Sequence, residues 1–284
     1  MISLKRKKKT GELIKATGVA DEWRKYKPNQ SKDFKISRSR FDDFMTCPRC
    51  FYLKVNKGFM SPSTPGWTIN TLTDTLLKKE FDECRKKQKP HRIMAKYGLN
   101  HIVPYASEKI KDKNGNNILL IDMWRDSLHH GIKHKFKNTN IILQGGVDDV
   151  WFNTTTKELV IADYKSQHKK QEVSQDTYFN EPYKKGYQRQ LDYYAYILSG
   201  MGYKVSSDAY FYICNAKETD EGFNGKMLFD EYLIHYKVKT DYLEEKIQKM
   251  INTMNSENIP NPHASCENCA YARQRSVIDK KEEV

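Results

Sequence analysis

The segment IILQGGVDDVWFNTTTKELVIADYKSQ, from Ile141 to Gln167, is the part of the sequence that says most about the fold. It contains two runs rich in β-branched and aromatic residues, and the polar segment between them, residues 153–158, is typical of a hairpin turn. Asp148 and Asp163 lie at equal distances from the middle of that segment, so a symmetric hairpin places their carboxylates opposite each other. Opposed residues on one face have Cβ atoms about 5 Å apart, close enough for two carboxylates to share one divalent cation.

Lys165 follows Asp163 at a spacing of two residues, and strand alternation puts both side chains on the same face. Two acids and a lysine around one point can bind Mg²⁺ or Mn²⁺ and activate a water molecule for attack on a phosphodiester. The alternative is a surface hairpin with solvated charges. The apolar residues beside Asp163 argue against it, because burying charges costs free energy unless those charges are used.

A helix is predicted from Tyr183 to Leu198, where apolar and aromatic residues recur at helical spacing and Gly200 marks the end of the pattern. Gln190 and Tyr194 are i,i+4 neighbours on this helix and project together. A tyrosine-rich amphipathic helix packed on a sheet explains the same pattern, and the two interpretations are compatible.

These three elements resemble the PD-(D/E)XK nuclease superfamily and, within it, the RecB-like branch. In that branch a G-x-x-D strand and a D-x-K strand precede a helix that carries Q-x-x-x-Y, and the three motifs occur here in the same order. The resemblance implies an α/β (α+β) fold in which helices flank a central mixed β-sheet with a restriction-endonuclease-like core. The matching positions are Gly145–Asp148, Asp163–Lys165 and Gln190–Tyr194.

The resemblance also implies roles for individual residues. Asp148, Asp163, Lys165 and Gln190 would be catalytic, the two aspartates as metal ligands and Gln190 in orienting substrate or water, while Tyr194 would position substrate. The resemblance to exonuclease members implies a DNA substrate with a single-stranded end, and RNA stays open as an alternative.

Four of the six cysteines form two C-x-x-C pairs, Cys47 with Cys50 and Cys266 with Cys269. Nothing in the sequence suggests secretion, so these pairs predict a four-thiolate metal site rather than disulfides. Such a site would join the two terminal segments of the chain. Tetrahedral Zn²⁺ and a [4Fe–4S] cluster both suit four thiolates.

The cysteines extend the resemblance to AddB-type nucleases and to CRISPR-associated RecB-like exonucleases, which hold a [4Fe–4S] cluster. Residues 37–49 are similar to the segment around the first cysteine of those proteins. Their usual arrangement is one early cysteine and three late ones, whereas this chain has two of each. Cys50 would therefore supply the missing ligand.

A second departure from the family pattern lies in a helix predicted over Thr68–Lys87. The RecB-like pattern has a metal-binding histidine there, in G-x-x-x-H, whereas the sequence that starts at Gly66 has Asn70 at that position. Asn70 and Asp74 share one face of the helix, and either can offer an oxygen to a hard cation. The alternative is that both are exposed polar residues of an ordinary helix.

The charge of the chain is consistent with a nucleic-acid partner. There are 49 Lys and Arg residues against 36 Asp and Glu, a net charge of +13, and residues 1–40 hold 13 of the basic and 4 of the acidic ones. We expect a flexible basic arm over residues 1–36, a nuclease domain over 37–272 and a charged tail over 273–284. Such an arm adds salt-sensitive affinity for phosphate backbones, although it could equally be a solubilising tail.

The sequence has neither an apolar run of about 20 residues nor an apolar leader segment, which predicts a cytoplasmic protein without a membrane span. Two functions other than a free-standing nuclease remain open. One is a nucleic-acid-binding protein with a weakened nuclease site, which Asn70 allows. The other is a subunit of a repair or CRISPR-adaptation complex with a helicase or integrase partner, since the chain has no G-x-x-x-x-G-K-[ST] motif of its own.

Overall fold

The computed structural model describes residues 2–112 and 114–282. Its helices are α1 (Arg38–Thr46), α2 (Pro48–Val55), α3 (Thr68–Lys87), α4 (Arg92–Lys96), α5 (Leu120–Arg125), α6 (Lys185–Gly200), α7 (Leu243–Asn255) and α8 (Glu267–Glu282). Its strands are β1 (Phe34–Ser37), β2 (Ile102–Pro104), β3 (Lys109–Lys111), β4 (Asn117–Leu119), β5 (Ile132–Lys135), β6 (Ile141–Gly145), β7 (Asp149–Asn153), β8 (Glu158–His168), β9 (Asp208–Ala216) and β10 (Phe229–Lys237).

The chain divides into two compact units. The first comprises Met1–Gly66, Asn138–Ile141 and Glu244–Val284, and the second comprises Trp67–Lys137 and Ile142–Leu243. All four paired cysteines belong to the first unit. The acidic hairpin and the helix that carries Q-x-x-x-Y belong to the second.

The second unit is built on a five-stranded sheet with the order β10-β9-β8-β7-β2. Strands β8 and β9 are parallel, and the other neighbours are antiparallel. In β8, Tyr164 lies against α3 and Asp163 contacts α6. Since successive residues of a strand point to opposite faces, the two helices cover opposite faces of the sheet. The predicted mixed sheet flanked by helices is confirmed.

Helix α3 has the predicted bounds, and its buried side chains form the core on its face of the sheet. Phe81 stacks on Trp151 with 5.4 Å between ring centroids, and both side chains are fully buried. Burial of one such aromatic side chain stabilises the fold by roughly 1.5–3 kcal/mol. The helix ends at Gln88, whose left-handed backbone (φ 48°) lets its N–H bond to the carbonyls of Cys84 and Arg85.

Helix α3 is also the longest of the described helices, with 20 residues. It carries acidic and basic side chains from Asp74 to its last residue. Across residues 2–112 and 114–282, no helix combines the length and the apolar character that crossing a bilayer requires.

The first β-rich run of the hairpin, residues 141–152, is predicted as one strand but forms two, β6 and β7. The break falls at residues 146–148, where Val147 donates its N–H to the carbonyl of Trp124 at 3.2 Å. A Cβ on Gly146 would lie 2.5 Å from the Cβ of Ser127. The chain therefore leaves the ladder at this point to pack against the segment that follows α5.

In the first unit, residues 38–55 form two helices, α1 and α2, and not one continuous helix. Cys47 lies between them in extended conformation (φ −152°), and Pro48 begins α2. Proline disfavours the helical conformation in the residue before it and cannot donate a helical hydrogen bond, so the interruption follows from the local sequence.

Candidate active site and candidate metal centre

The β7–β8 hairpin has the register that the sequence predicts. Asn153 pairs with Glu158 and Asp149 with Ala162, so continuation by one position sets Asp148 opposite Asp163. Asp148 itself precedes β7. Its carboxylate is turned toward β8, because its Oδ2 accepts a hydrogen bond from the backbone N–H of Tyr164 at 3.0 Å.

Asp163 is fully buried in the middle of β8, the central strand of the sheet. Its Oδ1 accepts a hydrogen bond from Nε2 of Gln190 at 2.6 Å. Its Oδ2 forms an ion pair with the ammonium of Lys165 and takes no further hydrogen bond within the described ranges. Burial raises the pKa of Asp163 above its ordinary value, the Lys165 charge opposes that rise, and the nearby Asp148 carboxylate adds to it.

Helix α6 joins the motifs of the helix and the hairpin by direct contact. Gln190 also donates to the hydroxyl of Tyr194, one turn further along the helix, at 3.3 Å. The Tyr194 ring lies on Gly145 so closely that an added Cβ would be 2.5 Å from a ring carbon. This contact explains why the first residue of G-x-x-D is a glycine.

Helix α3, on the opposite face of the sheet from α6, also brings polar side chains near the acidic pair. Asn70 donates an amide N–H to the carbonyl of Ser166 in β8 at 3.0 Å. Lys78 forms an ion pair with Asp74 at 2.7 Å and lies 3.9 Å from Oδ1 of Asp148. Burial raises the pKa of Asp74, Lys78 opposes that rise, and the charge of Asp148 adds to it. The structure therefore brings both helix residues singled out in the sequence to the vicinity of the acidic pair.

A buried charged cluster that was not predicted from the sequence lies behind this pair. Asp149 has no exposed surface, and its carboxylate accepts hydrogen bonds from Arg85 at 2.5 Å, Arg125 at 3.1 Å and the Tyr164 hydroxyl at 2.8 Å. Two signals in the sequence point to it. A strand with two adjacent aspartates must direct one to each face, and Arg85 stands four residues after Phe81 on the buried stripe of α3.

The four paired cysteines meet in the first unit. The Sγ atoms of Cys50 and Cys269 are 3.4 Å apart, those of Cys50 and Cys266 3.5 Å, and those of Cys47 and Cys269 3.9 Å. All four Sγ atoms lie within 4.8 Å of one another. No disulfide joins them.

The local backbone favours a thiolate at Cys47, whereas burial raises the pKa of the Cys50 and Cys269 thiols. Burial opposes ionisation of Cys47, but the backbone N–H groups of Cys50 and His263 outweigh burial, so the pKa of the Cys47 thiol is lowered. The His263 N–H lies 3.5 Å from Sγ of Cys47. Thiolates are the form in which cysteine binds metals.

The spacing of the sulfur atoms can be compared with the two candidate metal groups. Four thiolates around one tetrahedral Zn²⁺, with Zn–S bonds of about 2.3 Å, stand roughly 3.8 Å apart. In a [4Fe–4S] cluster each thiolate binds a different iron, so the sulfur atoms stand farther apart than around a single ion. The donor set fits either group, and the observed spacing fits a single ion.

Comparison with known proteins identifies the family of this chain. The model of the PD-(D/E)XK nuclease superfamily, whose members use divalent metals, matches residues 35–274. A solved structure from Eubacterium rectale, described as a "Putative exonuclease", is 15% identical, with 84% of this chain and 87% of that chain covered and a TM-score of 0.40. No curated protein matches the chain. The family match spans both the acidic hairpin and the paired cysteines, and the chain belongs to the PD-(D/E)XK nuclease superfamily.

Proposed function

We propose that this protein is a metal-dependent nuclease of the RecB-like branch that hydrolyses phosphodiester bonds of DNA from single-stranded ends. The observation that carries the proposal is the meeting of three separate motifs around one buried carboxylate. Asp163 contacts Lys165 and Gln190 directly, and Asp148 lies opposite it in the hairpin register.

Asp148 and Asp163 would hold the Mg²⁺ or Mn²⁺, which when bound supplies a Lewis acid and an activated water. The burial of Asp163 keeps bulk water away and strengthens its attraction for a cation. Gln190 fixes one carboxylate oxygen, which leaves the other directed toward Lys165. The Lys165 ammonium can stabilise charge that develops on the phosphate, a contribution typically worth 10²- to 10³-fold in rate.

The proposed substrate follows from the charge of the chain and from the family resemblance. The excess of basic residues in the first 40 positions favours a polyanion but does not distinguish DNA from RNA. The preference for single-stranded ends comes from the resemblance to exonucleases.

A cleavage assay tests the proposal. End-labelled linear single-stranded DNA, a closed circular strand and a matched RNA would be incubated with Mg²⁺ or Mn²⁺. We expect loss of the linear DNA alone, and no loss with Asp163→Asn. The exposed Asp220→Asn variant is the matched control and should retain full activity. Cleavage of the circle would indicate an endonuclease, and activity in Asp163→Asn would contradict the site.

The second candidate function is a nucleic-acid-binding protein or a partner-dependent subunit with a weakened active site. One observation favours it. The position of the family histidine is Asn70, a neutral amide that binds a hard cation less strongly than a charged ligand and already donates to Ser166. If the wild-type protein binds the linear DNA without cutting it while Asn70→His cuts, this candidate replaces the first.

For the cysteine cluster we propose a single tetrahedral ion, Zn²⁺ in the first instance, supported by three sulfur–sulfur distances of 3.4–3.9 Å and by the approach of all four Sγ atoms to within 4.8 Å of one another. The family resemblance favours a [4Fe–4S] cluster instead. Anaerobic purification followed by metal analysis separates the two. One zinc per chain and a colourless protein support the single ion, whereas four irons and a broad visible absorption support the cluster.

A further inference from the structure

The guanidinium of Arg125, the last residue of α5, contacts three aspartates beside the proposed active site. Its Nε donates to the backbone carbonyl of Asp148 at 3.1 Å. Its Nη1 donates to both carboxylate oxygens of Asp82 at 2.9 and 3.0 Å, and its Nη2 donates to Asp149 at 3.1 Å. The side chain is 10% exposed. Arg125 thus binds the backbone of one aspartate of the Asp148–Asp149 doublet and the carboxylate of the other.

The position of Asp148 explains why such a contact matters. Asp148 lies in the break between β6 and β7, so no strand pairing fixes its backbone. The end of α5 holds this segment instead, through the Arg125 contact and through the bond from the Val147 N–H to the carbonyl of Trp124. The Asp148 carboxylate is then directed by a single N–H from Tyr164.

We propose that Arg125 is a positioning residue that sets the direction of the Asp148 carboxylate and thereby the metal affinity of the site. This inference rests on the proposed metal-binding role of Asp148. It assigns to Arg125 a role beyond neutralising the buried Asp149. Supporting residues of this kind typically change metal affinity 10- to 100-fold when they are removed.

Arg85 provides a matched comparison within the same cluster. It donates to the same two carboxylates, Asp149 at 2.5 Å and Asp82 at 3.3 Å, and is as deeply buried. Its third contact is the carbonyl of Tyr105, at 3.0 Å. Among the described residues, the hydrogen bond to the Asp148 backbone belongs to Arg125 and not to Arg85. Loss of either arginine removes one cation from Asp149, but only loss of Arg125 frees Asp148.

The test measures Mn²⁺ binding directly, by the loss of the free-ion electron paramagnetic resonance signal, without nucleic acid or turnover. The proteins are the wild type, Arg125→Gln, Arg125→Lys, Arg85→Gln and Asp148→Asn, and thermal melting checks that each is folded. We expect at least tenfold weaker binding in Arg125→Gln and less than threefold weaker binding in Arg85→Gln. Arg125→Lys keeps the charge but loses the planar fork, so it should also bind at least fivefold more weakly.

Three results would overturn the inference. Wild-type affinity in Arg125→Gln or Arg125→Lys would mean that the contact does not position Asp148. Equal losses in the Arg85 and Arg125 variants would mean that both act only through Asp149. Wild-type binding that Asp148→Asn leaves unchanged would remove the proposed metal site itself, and this inference with it. If Arg125→Gln does not fold, the Arg125→Lys result decides.

Discussion

The acidic centre and the cysteine centre of this protein are assembled in different ways. Asp148 and Asp163 come from one hairpin, whose register sets them opposite each other, and the end of α5 holds the Asp148 backbone in place. Cys50 and Cys266 are 216 positions apart in sequence, yet their sulfur atoms are 3.5 Å apart. Local backbone geometry therefore positions the two aspartates, whereas the packing of the whole first unit positions the cysteines.

The bonds that hold the first unit together make this dependence concrete. Asn56, just after α2, donates to the carbonyl of Met254 at 2.7 Å, and Tyr52 donates to that of Ser256 at 3.0 Å. These bonds join the segment that carries Cys47 and Cys50 to the segment that leads to Cys266. A metal at the cysteines would therefore reinforce a closure that hydrogen bonds already make, whereas a metal at the acids would relieve the proximity of two negative charges. The comparison predicts that damage to the acids abolishes chemistry and damage to the cysteines weakens the fold.

The largest expected effect is the loss of cleavage in Asp163→Asn. Nuclease activity should fall below detection, because a neutral amide binds a hard cation less strongly than the buried carboxylate that it replaces. The melting temperature of the metal-free protein should change by no more than about 3 °C, since the substitution removes a charge that burial disfavours and Lys165 keeps the nearby Asp148 carboxylate as a counter-charge. Parallel activity and melting measurements check both parts, and a large drop in melting temperature would contradict the separation of chemistry from stability.

Next in size is the effect of Cys266→Ser on stability. Loss of one ligand should remove the bound metal and lower the melting temperature by roughly 10 °C, because the ion binds only the folded arrangement. At low temperature, cleavage per folded molecule should stay within about threefold of the wild type. A tenfold change in rate corresponds to about 1.4 kcal/mol of activation free energy, so the expected change is smaller than that. Cys84→Ser is the control, since Cys84 lies outside the cluster and its substitution should leave metal content unchanged. An unchanged melting curve for Cys266→Ser would show that the cysteines do not support the fold.

A smaller effect is expected for Gly145→Ala, which tests the contact between the hairpin and α6. The added methyl group would meet the ring of Tyr194 at 2.5 Å and should destabilise the protein by about 1–3 kcal/mol. Gly66→Ala is the matched control, because a Cβ there meets nothing within 4 Å. If the clash is the cause, Tyr194→Leu should restore part of the loss in the double variant, by about 1 kcal/mol of coupling. Additive effects would show that the contact is not responsible.

A further expected effect is a difference in the pH dependence of stability between the metal-free wild type and Asp163→Asn. The raised pKa of Asp163, about 7, means that the folded state binds this proton more tightly than the unfolded chain, whose Asp pKa is about 3.9. Protonation of Asp163 therefore favours the folded state at low pH. The contribution of Asp163 to the free energy of unfolding falls as pH rises from about 4 to about 7. Denaturant titrations at several pH values should show this slope in the wild type relative to the variant. Identical slopes would contradict the raised pKa.

The degree to which the sequence predicted each region follows the same contrast. The hairpin register, the bounds of α3 and the pairing of Gln190 with Tyr194 depend on local periodicity, and all three agree with the structure. The breaks at Cys47 and at residues 146–148 were not predicted. The break at Cys47 could have been predicted from Pro48. The break at residues 146–148 depends on packing against the end of α5, which the periodicity of the sequence does not encode.

The cysteine cluster was predicted from the chemistry of C-x-x-C pairs and not from geometry. Which atoms approach within 4 Å, and at what spacing, depends on contacts between distant segments. The cluster around Asp149 was missed for a related reason. A buried carboxylate requires cationic partners, but Arg85 and Arg125 are only two of 49 basic residues. Only the tertiary structure shows that these two contact Asp149.

The close approach of the four sulfur atoms has a consequence for oxidation. A disulfide needs its two sulfur atoms about 2 Å apart, and Cys50 and Cys269 already stand at 3.4 Å. When the metal is removed in air, a small shift closes a bond between residues 219 positions apart, and the resulting ring would tie the two terminal segments covalently. Preparations stripped of metal without a reductant should therefore contain an oxidised form that no longer takes up metal until thiols are added. With a metal bound as proposed, the same four atoms would make the fold depend on that metal and make the metal-free protein sensitive to air.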